Sequence, residues 1–170
     1  MTKSEYLALL SRRLGVSMSR LDGLLERLHR AGLVRPTKGS RRFPPECGEY
    51  DATALLIAVL ADRGLDAAAD NAWALAAIDC DGQRFSDWLM DLLYGPPRHI
   101  QHLAVQHEPP AASVVFDGQH MRFGGPVTTA GRIVPGTTLA ALAAELQGAT
   151  QNEADAIAAL TNIRRAYAQH

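Results

Sequence analysis

Basic side chains are concentrated at one end of the 170-residue sequence, where they can bind phosphate groups. Residues 1–45 contain ten lysines and arginines but only three acidic residues, a net charge of +7. The remaining residues carry seven basic and fifteen acidic side chains, a net charge of −8. A basic segment joined to an acidic body indicates an anionic partner for that segment. The basic residues are Lys3, Arg12, Arg13, Arg20, Arg27, Arg30, Arg35, Lys38, Arg41 and Arg42.

Two amphipathic helices are predicted to position these cations. Thr2 and Glu5 form a T-x-x-E capping box at the start of the first helix, and Gly15 ends it. The second helix begins after a cap at Ser17 or Ser19 and ends at Gly32. Apolar residues recur at helical spacing in both. They are Tyr6, Leu7, Leu10 and Leu14 in the first helix and Leu21, Leu24, Leu25, Leu28 and Ala31 in the second.

The turn between these helices has the residue types that a helix-turn-helix requires. Ser11 is the small residue at the helix contact, Gly15 forms the turn and Val16 follows it as an apolar plug, while Leu21 and Leu24 anchor the second helix. The stretch LGVSMSRLDGLLERLHRAGLV resembles the winged helix-turn-helix family of bacterial and phage transcription regulators. The resemblance covers roughly the first 45 residues.

The resemblance implies that the second helix enters the major groove of DNA N-terminus first. The implied base-facing or phosphate-facing residues are Ser17, Met18, Ser19, Arg20 and Gly23. Arg20 suits a bidentate contact with guanine, and Met18 suits a thymine methyl group. The implied backbone contacts are Arg12, Arg13 and Arg27, with Lys38, Arg41 and Arg42 in the wing.

Three features depart from the family pattern. Ser11 stands where alanine is commoner, and no additional helix precedes the pair, so a later helix or a partner subunit must complete the usual three-helix core. Asp22 and Glu26 lie on the implied recognition helix. Their carboxylates repel phosphate unless they accept hydrogen bonds from cytosine amino groups.

The predicted fold class is mainly α (α+β), with a winged helix-turn-helix domain at 1–45 and a helical domain with a small β-hairpin at 46–170. Within the first domain, short strands at 33–35 and 41–43 flank a turn at 36–40. In the second, helices are predicted at 52–63, 66–78, 84–94, about 138–146 and about 151–168, with caps at Asp51, Asp66, Thr137 or Thr138, and Thr150. Segment 100–106 is extended, and Asp117-Gly118 joins strands at 113–116 and 120–123.

Composition and motifs exclude several classes of protein. The longest apolar run is far shorter than the ~20 residues of a membrane span, and no signal peptide is apparent. Cys47 and Cys80 are expected to be reduced thiols of a cytoplasmic protein, because they form no CxxC pair. No GxGxxG, phosphate-binding loop or nucleophile elbow is present, so the sequence predicts neither an enzyme nor a cofactor.

Two weaker patterns leave other functions open. The histidines His99, His102, His107 and His120 lie near one another in sequence, but without the spacing of a known metal site. Four aromatic residues suit either a ligand pocket or a plain core, namely Trp73, Phe85, Trp88 and Tyr94.

The sequence therefore predicts a sequence-specific, double-stranded DNA-binding transcription regulator of prophage type. A homodimer is expected, because a two-fold operator has two half-sites, ~34 Å apart, and each binds one copy of the helix-turn-helix. The apolar helix at 52–63 and the C-terminal helix suit either this dimer or a monomeric core. One alternative is a DNA-packaging adaptor similar to a small terminase subunit, which a ring of many subunits in solution would favour. The other is a ligand-binding or metal-binding protein that does not bind DNA.

Overall fold

The computed structural model of the chain describes residues 1–35, 46–129 and 131–168 and shows a mixed α+β fold. Its helices in those residues are α1 (Lys3–Leu14), α2 (Met18–Arg30), α3 (Glu49–Leu60), α4 (Ala68–Ala77), α5 (Phe85–Tyr94), α6 (Gly136–Leu146) and α7 (Gln151–Ala168). Its strands there are β1 (Asp79–Cys80), β2 (Gln83–Arg84), β3 (Ile100–Gln106), β4 (Ala111–Phe116), β5 (Gln119–Phe123) and β6 (Arg132–Pro135). No helix within these ranges is long and apolar enough to span a bilayer.

The local signals at the ends of α1 and α2 are confirmed. The Thr2 hydroxyl accepts a hydrogen bond from the Glu5 N–H, and the Glu5 carboxylate accepts one from the Thr2 N–H at 2.6 Å. Gly15 follows α1 with φ 66°, a left-handed conformation that glycine adopts without strain. Ser17 caps α2, and the helix ends in paired bonds from the N–H groups of Gly32 and Leu33 to earlier carbonyls.

Three predicted caps in the body of the protein are wrong. The caps of α3, α4 and α6 are Gly48, Ala67 and Pro135, and none of them makes a side-chain capping bond. Asp51 lies inside the first turn of α3, and its carboxylate is 3.5 Å from the ammonium group of Lys3 on α1. The Asp51 carboxylate therefore forms an ion pair with a distant residue instead of capping the helix, as local sequence rules had predicted. The capping box at Thr150 and Glu153 is confirmed at the start of α7.

The predicted hairpin is present but belongs to a larger antiparallel sheet with strand order β5-β4-β3-β6. Asp117 and Gly118 both have positive φ, 46° and 76°, as a tight hairpin turn requires. The edge strand β6 was not predicted, nor was the two-residue pair β1–β2. The predicted strand at 33–35 is wrong, because Leu33 and Val34 form a bend after α2 and Arg35 has no regular structure. The predicted turn at 36–40 and strand at 41–43 lie outside the described residues.

Apolar side chains from both ends of the chain share one core, which runs from Tyr6 to Leu142. The helix pair α1–α2 packs on α3, α4 and α6, so later helices supply the support that the first residues lack. Tyr6 is fully buried, and its hydroxyl donates to the Ala52 carbonyl at 2.9 Å. At the start of α6, a Cβ on Gly136 would overlap the Ile100 carbonyl oxygen, so glycine allows the helix to lie against β3.

Candidate functional site

The N-terminal end of α2 lies at the surface. Ser17, Met18 and Ser19 are exposed, and the first turn of the helix contains no acidic residue. The Ser17 hydroxyl accepts a hydrogen bond from the Arg20 N–H at 3.3 Å. The positive end of the helix dipole can therefore face a phosphate or another anion.

Arg20, the third residue of α2, is paired with Asp62 in the connection that follows α3. Its Nε donates to Oδ2 at 2.8 Å and its Nη2 donates to Oδ1. Two parallel hydrogen bonds of this kind fix the plane of the guanidinium. The hydrogen bond from Arg20 also lowers the pKa of the Asp62 carboxyl below its ordinary value. The side chain predicted to contact guanine is thus engaged by a carboxylate of its own chain.

Gly23 and Arg27 face the same connection. A Cβ on Gly23 would lie 3.1 Å from both terminal methyl carbons of Leu65, so the absent side chain lets this leucine approach the helix. Arg27 donates from Nε to the Leu65 carbonyl at 3.4 Å. The close approach that accounts for a glycine inside α2 is therefore made by a residue of the same chain.

Arg12 and Arg13 join α1 to the C-terminal helices. Arg13 donates from Nε to Glu145 at 2.7 Å and from Nη1 to Asp155 at 2.5 Å, while Arg12 also pairs with Glu145. The side chains of Arg13 and Glu145 are 14% and 9% exposed, so this pair is largely withdrawn from water. Arg12 remains 42% exposed, although its Nη1 also donates to the side-chain oxygen of Gln151 at 3.1 Å.

The outward side of α2 carries more acid than base. Asp22 and Glu26 are exposed, and Arg30, one helical turn after Glu26, forms an ion pair with it. The side chains of Glu26 and Arg30 are 58% and 63% exposed, so water screens this pair. A duplex lying on this side of the helix would meet one carboxylate without a neutralising partner.

A buried network at the end of α2 was not predicted. Lys3 Nζ donates to the Arg35 carbonyl at 2.5 Å, lies 3.3 Å from His29 Nε2 and is 3.5 Å from the Asp51 carboxylate. Burial, followed by the charge of Lys3, lowers the pKa of His29. Arg35 itself is 79% exposed and lies at the start of the basic segment whose members Lys38, Arg41 and Arg42 are outside the described residues.

The aromatic residues and the histidines that the sequence singled out lie in different parts of the structure. Phe85 and Trp88 stack in the core with ring centroids 6.0 Å apart, whereas Trp73 is 64% exposed beside a groove. His120 bonds to the Ser113 hydroxyl at 2.6 Å, and His107 lies 3.0 Å from the Leu60 carbonyl. Within the described ranges, no three His, Cys, Asp or Glu side chains are grouped so as to hold a metal ion.

Both cysteines are free thiols, at Cys47 and Cys80. Burial raises the pKa of the Cys47 thiol to about 11, so it is protonated at neutral pH and a poor nucleophile.

Comparisons of the chain with family models, with curated proteins and with solved structures found no match. Inferences about function therefore depend on the residues themselves. Of the predicted site, Ser17, Met18 and Ser19 form one exposed turn, while Arg12, Arg13, Arg20 and Arg27 are distributed among contacts with the body of the molecule.

Proposed function

We propose that the protein binds double-stranded DNA and regulates transcription, using α1 and α2 as a winged helix-turn-helix. The observation that carries the proposal is the exposed, acid-free first turn of α2, a helix that is followed in sequence by a strongly basic segment. The N-terminal turn is the part of a recognition helix that approaches base edges. Backbone N–H groups at such a turn also bind phosphate.

The arginines divide into two groups under this proposal. Arg20 and Arg27 hold α2 against the body, and the direct contacts belong to Ser17, Met18 and Ser19. The phosphate contacts belong to cations with exposed side chains, such as Arg12 and Arg35. The basic segment supplies the rest through Lys38, Arg41 and Arg42.

The proposal is tested by selecting bound fragments from a random DNA pool with the full chain. Selected fragments should share a motif, and Met18→Ala with Ser19→Ala should remove the preference for that motif. Replacing Lys38, Arg41 and Arg42 by alanine should weaken binding to every sequence and reduce the salt slope by about one unit per lost phosphate contact. Arg122→Ala, an exposed arginine on β5, is the matched control and should leave both unchanged. Absence of any DNA binding at low salt would contradict the proposal.

The acidic residues of α2 give a sharper test of orientation. If the outward side of α2 faces DNA, Asp22→Asn with Glu26→Gln removes repulsion of phosphate and tightens binding to random-sequence DNA several-fold. Asp70→Asn with Glu108→Gln removes the same charge at exposed positions elsewhere and serves as the control. Equal affinities for the two double variants would contradict insertion of α2 into the groove.

We further propose a homodimer. Large apolar side chains are exposed on two elements away from α2, Ile133 on the edge strand β6 and Leu160 on α7. Exposed apolar side chains on an edge strand and a terminal helix suit association with a second copy. Sedimentation should give the mass of two chains, and Leu160→Glu should shift it towards one. A ring of eight or more subunits would instead favour a packaging adaptor.

A further inference from the structure

A groove of about 340 Å³ lies between the end of α2, helices α3 and α4, and the start of α5. Its walls are mainly apolar, and they include Leu28, Ile57, Trp73 and Met90. Two aromatic residues of the groove are unusually exposed, Trp73 by 64% and Tyr50 by 71%. A mainly apolar concavity with a few polar groups is the usual form of a small-molecule site, and this volume lies within the usual range of ~300–1,000 Å³.

One buried polar group in the groove has no partner. Thr53 lines the groove and is 4% exposed, yet its hydroxyl makes no hydrogen bond with any described residue. An unpaired buried hydroxyl is unfavourable, because it has lost water without gaining a protein partner. A ligand whose polar tip reaches this enclosed hydroxyl through a small shift of the groove wall would provide the missing partner.

Two opposite charges also line the groove without pairing with each other. Arg84 ends β2 just before α5, and its exposed guanidinium makes no hydrogen bond or ion pair with the described part of the chain. Asp87, three residues later, accepts only a long 3.4 Å bond from the Ser86 hydroxyl. No side chain caps α5. The groove therefore offers a cation to an anion and a carboxylate to a cation.

We propose that this groove binds a small zwitterion of the class of aromatic amino acids whose ring carries a polar group. The carboxylate binds Arg84 at the start of α5, and the ammonium group binds Asp87. The ring packs between apolar walls that include Ile57 and Trp73, and its polar substituent pairs with the Thr53 hydroxyl. Each of the unpartnered groups in the groove then has a partner of matching chemistry.

The test uses three probes that share one ring, namely L-tyrosine, tyramine and 3-(4-hydroxyphenyl)propionate. Binding to the full chain is measured by amide chemical-shift titration, which requires no DNA and so is independent of the DNA-binding proposal. L-tyrosine should bind most tightly, with shifts confined to the groove. Failure of all three to bind at millimolar concentration, or binding of the amine or the acid as tightly as L-tyrosine, would overturn the proposal.

Charge-specific variants identify the contacts. Arg84→Met should weaken L-tyrosine and the propionate at least ten-fold and leave tyramine unchanged, and Asp87→Asn should weaken L-tyrosine and tyramine and leave the propionate unchanged. Thr53→Val should abolish the preference for L-tyrosine over L-phenylalanine. Arg122→Met and Asp70→Asn, exposed residues away from the groove, are matched controls. Wild-type affinities in Arg84→Met and Asp87→Asn would show that these residues are not the site.

Discussion

Polar side chains are paired in the contact between the helix pair and the body, but unpaired in the groove a short distance away. Arg13 meets Glu145, and Arg20 meets Asp62. In the groove, Arg84 has no partner among the described residues, and the Thr53 hydroxyl is buried with none. Paired charges hold the two parts of the fold together, whereas a buried polar group without a partner, such as the Thr53 hydroxyl, is rare in folded proteins and can mark a site for a ligand.

The largest expected effect comes from breaking the paired side of the comparison. Glu145→Gln removes the buried carboxylate that pairs with both Arg12 and Arg13 and leaves Arg13 only the exposed Asp155, so the free energy of unfolding should fall by about 3 kcal/mol. Urea denaturation measures this loss, and the melting temperature should fall by roughly 10 °C. Glu26→Gln, which breaks an exposed pair, is the control and should change stability by less than ~0.5 kcal/mol. Equal losses in both variants would contradict the distinction between buried and exposed pairs.

A steric change tests the same contact at Gly23. Gly23→Val places methyl groups where Leu65 already lies, and overpacking of this kind should lower the free energy of unfolding by about 2 kcal/mol. The loss should shrink when Leu65→Ala is added, because the second change makes room. A double-mutant cycle in urea measures this coupling. Strictly additive losses would show that Leu65 does not limit the space at Gly23.

The opposite sign is expected in the groove. Thr53→Val removes a buried hydroxyl without a partner while keeping the shape of the side chain, so the free energy of unfolding should rise by about 1 kcal/mol. Thr138→Val, on the half-buried part of α6, is the comparison and should change stability by less than ~0.5 kcal/mol. A stability loss at Thr53 would mean that its hydroxyl is bonded in solution and that the groove contrast is wrong.

The smallest effect is the response of the Arg20–Asp62 pair to acid. The pKa of Asp62 is lower in the folded protein, so the pair stabilises the fold above the ordinary aspartate pKa of ~3.9. This contribution is lost as the pH falls from about 4 through the lowered pKa. Arg20 is 33% exposed, so the effect should stay below ~1 kcal/mol. Asp62→Asn should show a shallower loss of stability below pH ~4 than the wild type, and identical acid profiles would contradict the pairing.

Short-range sequence rules predicted the helix pair and the hairpin turn well because the determinants of each lie within a few residues. The Thr2–Glu5 box, Gly15 and the Asp117-Gly118 turn act over one to four positions, and each is confirmed. The failures involve distant partners. Asp51 contacts Lys3 instead of capping α3, and β6 is a strand because β3, some thirty residues earlier, pairs with it.

The sequence predicts which residues form the candidate site, but it does not predict which side chains they contact. The charge segregation identifies the basic residues, yet no local pattern indicates that Arg13 pairs with Glu145, 132 positions away. Of the groove, the sequence indicated only Trp73 as a possible pocket residue, for the same reason. Tyr50 and Thr53 lie on α3, Trp73 on α4 and Arg84 on β2, and only the packing of these elements makes a concave surface of them.

Helix α2 takes part in both proposed sites. It begins at the exposed turn with Ser17 and ends near Leu28 and Leu33, which line the groove, so its 13 residues span about 20 Å from one site to the other. If both proposals hold, a groove ligand that shifts this helix would alter the fit of its far end to DNA. Thermodynamic reciprocity would then require DNA to change the affinity for that ligand by the same factor. The protein would act as a sensor in which a single helix couples the two sites.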